Sequence, residues 1–320
     1  MIRELKVVPH KSRQEFLCSM LEGIIKSRSV IFSEIADKIE SAAKVESIER
    51  RIQAFFKEVS IDYSQLMFFF LSFIHHDQLS LSIDRTEWDF GKTQINILCV
   101  VVSIGKMAVP LYFEMLDNNS GNSNYADRIQ LFKKIIKVIG KERIAIVIMD
   151  REFIGYKWLT WLKQEHISFC VRVPKHHKIT LHDGRTIKAE ELVEKEKKVY
   201  LRDAFVDLVR VNVSISIDAN GDLLYLIGSS KPNKLGQIYR KRWTIEVFFQ
   251  ALKARGFNME KSCLQSLEKY RKLFALVSMA YTICWATGIE DGRSNPVKVK
   301  KHGYPQYLSL IHISEPTRPY

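Results

Sequence analysis

Apolar residues recur at helical spacing through the first 75 or so residues and then change to a strand-like rhythm near residue 79. Phe16, Met20, Leu21, Ile24 and Ile25 predict a first helix, with Ser12 to Glu15 as a capping box at its start. Two further helices are predicted by Ile31 to Ile39 and by Val45 to Phe56, joined through the small, polar stretch Glu40 to Lys44. In the second of these, Val45, Ile48, Ile52, Phe55 and Phe56 form the stripe to be buried. Arg50, Arg51, Gln53 and Lys57 fall largely outside it. That pattern suits a helix-turn-helix with its second helix in a DNA major groove. Charged residues on the outer face of any small bundle give the same pattern.

Leu79 to Asp84, Gln94 to Ser103 and Ala108 to Leu116 are rich in β-branched and apolar residues, with Gly-Lys pairs at 91–92 and 105–106 as turns. Residues 117–124 read as a loop. A helix over Tyr125 to Ile139, a strand over Ile144 to Met149, a helix over Phe153 to Gln164 and a strand over Ser168 to Val173 follow. Three meander-like strands, then helix, strand, helix and strand, predict an α/β, ribonuclease-H-like core. From 174 the chain turns polar and alternates at Val199 to Val206 and Leu208 to Ile217, with a turn at 219–222, as a β-rich insertion would. Helix returns from Leu235 to about Arg255, and Leu273 to Thr287 reads as a buried helix. The expected division is a helical N-terminal DNA-binding region at 1–76, the first part of the core at 77–173, the insertion at 174–232, and C-terminal core helices at 233–307.

Composition narrows the function class. Hydrophobic content of 46% with 27% charged residues belongs to a globular chain. A net charge of +13 points to a polyanionic partner, most simply nucleic acid, although a merely basic protein fits as well. Five scattered cysteines (Cys18, Cys99, Cys170, Cys263, Cys284) form no Cys-x-x-Cys pair and read as reduced core thiols of a cytosolic protein, with no zinc spacing. The N-terminus lacks a signal peptide's pattern, and the greasy runs are short or interrupted, so no membrane role is expected.

The chemistry gathers on one predicted helix. Tyr239, Arg242, Glu246 and Lys253 lie at offsets of three, seven and fourteen residues, within roughly a 60° arc of a helix surface. An exposed face with an ordinary Arg242–Glu246 pair would look the same. Asp84 and Asp150, each followed by arginine, close two apolar strands, where open α/β sheets place their sites. Strand-closing aspartates also serve turns and caps. Together with Glu246 they make a carboxylate triad that repels itself unless a cation neutralises it. Oxygen ligands suit Mg²⁺ or Mn²⁺, and two such ions can drive in-line displacement at phosphorus.

At this point a resemblance becomes specific. Y-x2-R-x3-E-x6-K, present as Tyr239, Arg242, Glu246 and Lys253, resembles the hallmark of insertion sequence 4 family transposases. The contexts IDRTEW around Asp84 and IMDREFIG around Asp150 resemble that family's two Asp motifs, as does the stretch between them. The resemblance covers roughly residues 80 to 300. It implies a DDE transposase that cleaves transposon ends and transfers the 3′-OH to target DNA, with Asp84, Asp150 and Glu246 as catalytic metal ligands for two ions. It implies that Tyr239, Arg242 and Lys253 hold terminal phosphates, and that the chain pairs into a synaptic homodimer in a bacterial cytoplasm. The β-rich insertion is a family feature too.

Relatives that cut through a DNA hairpin can stack a flipped base on a tryptophan of the insertion, but no tryptophan lies between 174 and 230 here. Tyr200 or Phe205 could serve, or the step could differ. A non-catalytic DNA-binding remnant or repressor, and a structure-specific nuclease on the same core, remain the other readings. His75-His76-Asp77 reads as a solvated loop and His176-His177-Lys178 as a basic edge or plain surface. Glu87, Asp89 and Glu152 are the rival carboxylates to the triad. The tail 308–320, LSLIHISEPTRPY, resembles a translated sequencing adapter and is left out of the fold reading.

Overall fold

The computed structural model describes residues 6–90, 93–116, 121–193, 198–217, 221–253, 256–262, 264 and 266–294. The Gly91-Lys92 turn, residues 117–120 of the loop, residues 219–220, Arg255, Cys263 and the 308–320 tail lie outside them.

The N-terminal region forms α1 (Lys11–Ser27), α2 (Phe32–Asp37), α3 (Val45–Glu58) and α4 (Tyr63–Leu71). The expected capping box at Ser12 is not used. His10 is the N-cap, at φ 64° and with no side-chain cap bond, so Ser12 lies inside the first turn. Val7 and Val8 are buried just before it and set the chain's entry instead. Asp62 caps α4 by accepting from the Ser64 and Gln65 amides at 2.9 and 3.1 Å. Ile48, Ile52, Phe55 and Phe56 of α3 are buried as expected, whereas Val45 is 39% exposed.

Among the described residues, ten strands form one sheet: β1 (Leu79–Phe90), β2 (Thr93–Ile104), β3 (Met107–Leu116), β4 (Ile144–Met149), β5 (Phe169–Arg172), β6 (Lys178–Thr180), β7 (Thr186–Lys188), β8 (Val199–Val206), β9 (Val209–Ile217) and β10 (Leu223–Gly228). Their order is β3-β2-β1-β4-β5-β10-β9-β8-β6-β7. β1 to β3 form the antiparallel meander, and β4 and β5 add in parallel beside β1. That is the ribonuclease-H-like core. The β-rich segment is continuous with it, because β10 pairs antiparallel with the outer edge of β5 and carries the remaining strands onward. Pairing the edge satisfies backbone groups that an open strand would leave bare.

α5 (Tyr125–Ile139) and α6 (Tyr156–Gln164) follow β3 and β4, while α7 (Pro232–Tyr239), α8 (Trp243–Leu252) and α9 (Leu267–Ser294) follow β10. Asn124 and Asp127 form a true capping box at the start of α5. α9 contains a span apolar and long enough to cross a membrane, but 67% of that window is buried inside the fold. It is the spine of the molecule. α1, α3 and α4 pack against it, and its buried Lys272 donates to the Phe56 carbonyl of α3 at 3.0 Å.

Candidate active site

Side chains on a strand alternate between faces, so Ser80, Ser82, Asp84, Thr86 and Trp88 of β1 share one face and Arg85 and Glu87 the other. α8 packs on the first face, across β1, β2 and β3. Its seat is a chain of hydroxyls. Ser82 Oγ lies 3.0 Å from Ser103 Oγ, which lies 2.9 Å from Thr244 Oγ1, and Thr244 donates to the Lys241 carbonyl at 2.8 Å. Lys241 Nζ also donates to Ser80 Oγ at 2.9 Å. These small polar residues fix the helix against the strand one turn from Glu246. Their signal in the sequence was the alternating serines before Asp84, which could equally have been a polar strand face.

The register then sets the carboxylates. Ile83 pairs with Met149, and Met149 with Val171, so Asp84, Asp150 and Arg172 come level at the ends of adjacent parallel pairings. Tyr239 donates to Asp150 Oδ1 at 3.0 Å. Arg242 donates through Nη1 to Asp84 Oδ2 at 3.0 Å and through Nη2 to Glu246 Oε1. Five of the residues singled out from sequence therefore meet: Asp84, Asp150, Tyr239, Arg242 and Glu246.

The backbone stays right-handed helical from Tyr239 to Trp243, with a tightened turn between two α-helical stretches. α7 ends at Tyr239, a 3₁₀ turn spans Arg240–Arg242, and α8 ends at Leu252. Lys253 leaves the helix at ψ −117°. Its Nζ donates to the Glu87 carbonyl at 3.0 Å and sits 5.7 Å from the centre of the Trp88 ring, four residues along β1 from Asp84, or about 13 Å. The N-terminal pair lies elsewhere, on the exposed side of α3. Both are exposed, and the Arg51 guanidinium lies over the Phe16 ring at 4.3 Å.

Two of the rival carboxylates, Glu87 and Glu152, pair with Arg85. Arg85 donates to Glu87 and, at 3.3 Å, to Glu152; it also reaches Asn96 at 3.2 Å. Buried Arg128 donates to the Glu152 carbonyl at 3.0 Å. The Asp89 side chain lies outside the described residues. His75, His76 and Asp77 form an exposed loop, and His177 pairs with Asp207 at 3.3 Å.

Electrostatics sharpen the site. Burial pushes the Asp84 carboxyl up to about 7, against the pull of Arg242 and of the Arg85 amide, with Glu152 and Asp150 adding to the rise. Burial also opposes the Arg242 charge, but Tyr239, Glu246, Asp84 and Asp150 outweigh it and hold the guanidinium more firmly protonated than usual. A buried carboxyl that stays hard to ionise beside an arginine marks a place short of positive charge. Hard oxygen donors with that need fit a divalent cation. Among the described residues, no three His, Cys, Asp or Glu side chains close on a common point. Arg242 stands between Asp84 and Glu246, one arm on each.

Charge is also unevenly spread. Residues 1–76 carry 11 Lys and Arg against 10 Asp and Glu, whereas residues 233–307 carry 14 against 5. The basic excess belongs to the segment that bears Tyr239, Arg242 and Lys253, not to the N-terminal helices.

Among solved structures, the chain is similar to the piggyBac transposase in a synaptic complex with hairpin DNA, at 13% identity and a TM-score of 0.49, covering 96% of this chain and 73% of that one. It is also similar to the HTLV-2 integrase catalytic core domain in complex with magnesium, at 12% identity and a TM-score of 0.24, covering 30% of this chain and 62% of that one. No protein of curated function matches the chain. The family model described as the transposase DDE domain matches residues 78–283, and the chain belongs to that family of DNA-transposing enzymes.

Proposed function

We propose that Asp84, Asp150 and Glu246 are the DDE carboxylates of an insertion sequence 4 family transposase, with Tyr239, Arg242 and Lys253 gripping the terminal phosphates of the transposon end. The observation that carries this reading is the placement of Asp84 and Asp150 directly after the paired residues Ile83 and Met149 of β1 and β4, with Arg242 reaching from Asp84 to Glu246. Asp84, Asp150 and Glu246 would hold Mg²⁺ or Mn²⁺, two ions in the full site. Such ions supply activation of the attacking hydroxyl and stabilisation of the leaving oxygen.

The remaining work falls to the chain's own groups. Arg242 presents a planar fork suited to two phosphate oxygens, and Tyr239 presents a hydroxyl donor beside it. Lys253, further along β1, would hold the backbone as a point charge. Water cleaves the phosphodiester at the transposon end, leaving a 3′-OH and a 5′-phosphate. That 3′-OH then attacks a target phosphodiester and displaces its 3′ oxygen. Both partners are DNA, the terminal repeats and the target. A homodimer in the bacterial cytoplasm is the working assembly in this reading, as the resemblance to insertion sequence 4 family transposases implies. Arg50 of α3 is a secondary backbone contact in this reading, and Arg51 a weaker one.

The test is Mg²⁺-dependent cleavage of DNA bearing the element's own ends. Asp84→Ala, Asp150→Ala and Glu246→Ala should each abolish cleavage while retaining end binding. Cleavage that persists in Asp84→Ala would overturn the assignment.

A further inference from the structure

At the strand ends beside Asp150, on the face opposite α8, two tyrosines stand in solvent. Tyr125 opens α5 and is 43% exposed, and Tyr156 opens α6 and is 51% exposed. Lys157 links them: it follows Tyr156, lies 3.4 Å from the Tyr125 hydroxyl and sits 4.6 Å from the centre of its ring. Neither tyrosine caps its helix, since Asn124 does that for α5 and Gly155 stands at the cap of α6.

The ledge they make is rigid. Trp158 donates to Met149 Sδ at 3.0 Å, which pins the first turn of α6 to the residue before Asp150. Trp158 stacks on Trp161 at 5.3 Å and packs against Phe132 of α5 at 5.3 Å. The nearby acids are turned away, Glu152 to Arg85 and Asp127 into the capping box, whereas Arg151 and Lys157 are exposed. What faces solvent next to the catalytic edge is therefore aromatic and cationic. That combination suits unpaired bases on a phosphate backbone, because every base has a face to stack and a base inside a duplex has both faces covered.

We propose that Tyr125, Tyr156 and Lys157 form a stacking platform for unpaired bases of the DNA strand held at Asp84 and Asp150. The proposal rests on the catalytic assignment above for which strand is held, and it gives this chain a stacking site although its β-rich segment holds no tryptophan between 174 and 230.

The test compares binding of a short duplex with a single-stranded extension against the same duplex blunt-ended, using the full chain in EDTA so that DNA is not cut. The extended duplex should bind roughly five- to a hundredfold more tightly. Tyr125→Ala/Tyr156→Ala should remove that preference while binding the blunt duplex as before, and Tyr125→Phe/Tyr156→Phe should keep it. An unchanged preference in the alanine variant overturns the proposal. So does an unchanged preference combined with loss of a sedimenting dimer, which would make the ledge a protein interface. Persistent cleavage by Asp84→Ala would refute the catalytic assignment without altering the stacking readout, so the two can fail separately.

Discussion

Arg242 joins Asp84 to Glu246, donating one guanidinium nitrogen to each carboxylate, with the Asp84 bond at 3.0 Å. A lysine keeps the charge but is a single point and cannot hold both partners in a plane. Arg242→Lys should therefore lower end cleavage by about ten- to a hundredfold, the scale of one or two charge-assisted hydrogen bonds. A cleavage assay with saturating DNA separates this from weaker binding. Wild-type rates in the lysine variant would show that the fork is not used.

This relationship was partly legible in the sequence. Helical spacing brought Tyr239, Arg242 and Glu246 to one face, and the strand-closing positions of Asp84 and Asp150 suggested a common edge. Spacing could not show the 3₁₀ turn at Arg240–Arg242, the Tyr239 bond to Asp150, or the end of α8 that sends Lys253 to Glu87. The meander and both parallel strands were readable because their apolar runs are bounded by turns. That β10 would close onto β5 was not readable, because pairing partners of short alternating strands are chosen by long-range contacts. The charge of Arg50 and Arg51 suggested a DNA-reading helix, and both residues are exposed on α3, with the Arg51 guanidinium over the Phe16 ring.

Thr244 offers a test of how α8 is seated. Its hydroxyl lies 2.9 Å from Ser103 Oγ and donates to the Lys241 carbonyl, and the residue is 3% exposed. Thr244→Val keeps the shape and removes the polar link, leaving Ser103 with Ser82 Oγ and the Lys241 carbonyl as partners. A loss of about 0.5–1.5 kcal/mol in urea unfolding is expected, the scale of one hydrogen bond. No change in midpoint would mean that the hydroxyl chain does not hold the helix.

Arg85 pairs with Glu87 and Glu152, two of the three carboxylates that compete with the triad. Arg85→Ala leaves Glu152 half-buried without its ion pair, and Glu87, more open to water, loses a lesser contact. The expected cost is about 2–4 kcal/mol, most of it from Glu152. Arg85→Met/Glu152→Met should recover part of that loss, since an apolar pair replaces the buried charges. If the double variant is as unstable as Arg85→Ala, the penalty lies in packing rather than in an abandoned charge.

Two glycines test whether the position of α7 governs the site. A Cβ on Gly228 would stand 2.5 Å from the Phe169 carbonyl oxygen and 2.7 Å from Leu235 Cδ2, and the carbonyl belongs to the sheet and cannot give way. Gly228→Ala should therefore push α7 off β5 and β10, carrying Tyr239 from Asp150. A loss of about 1–3 kcal/mol with reduced cleavage is expected. Gly236, inside α7, has only Ser216 Oγ at 3.8 Å. Gly236→Ala should be tolerated and should add about 0.5–1 kcal/mol, because alanine holds a helix better than glycine. Unfolding curves and cleavage rates measured side by side decide the matter. Equal behaviour of the two variants would refute the idea that α7 reaches Asp150 only because residue 228 has no side chain.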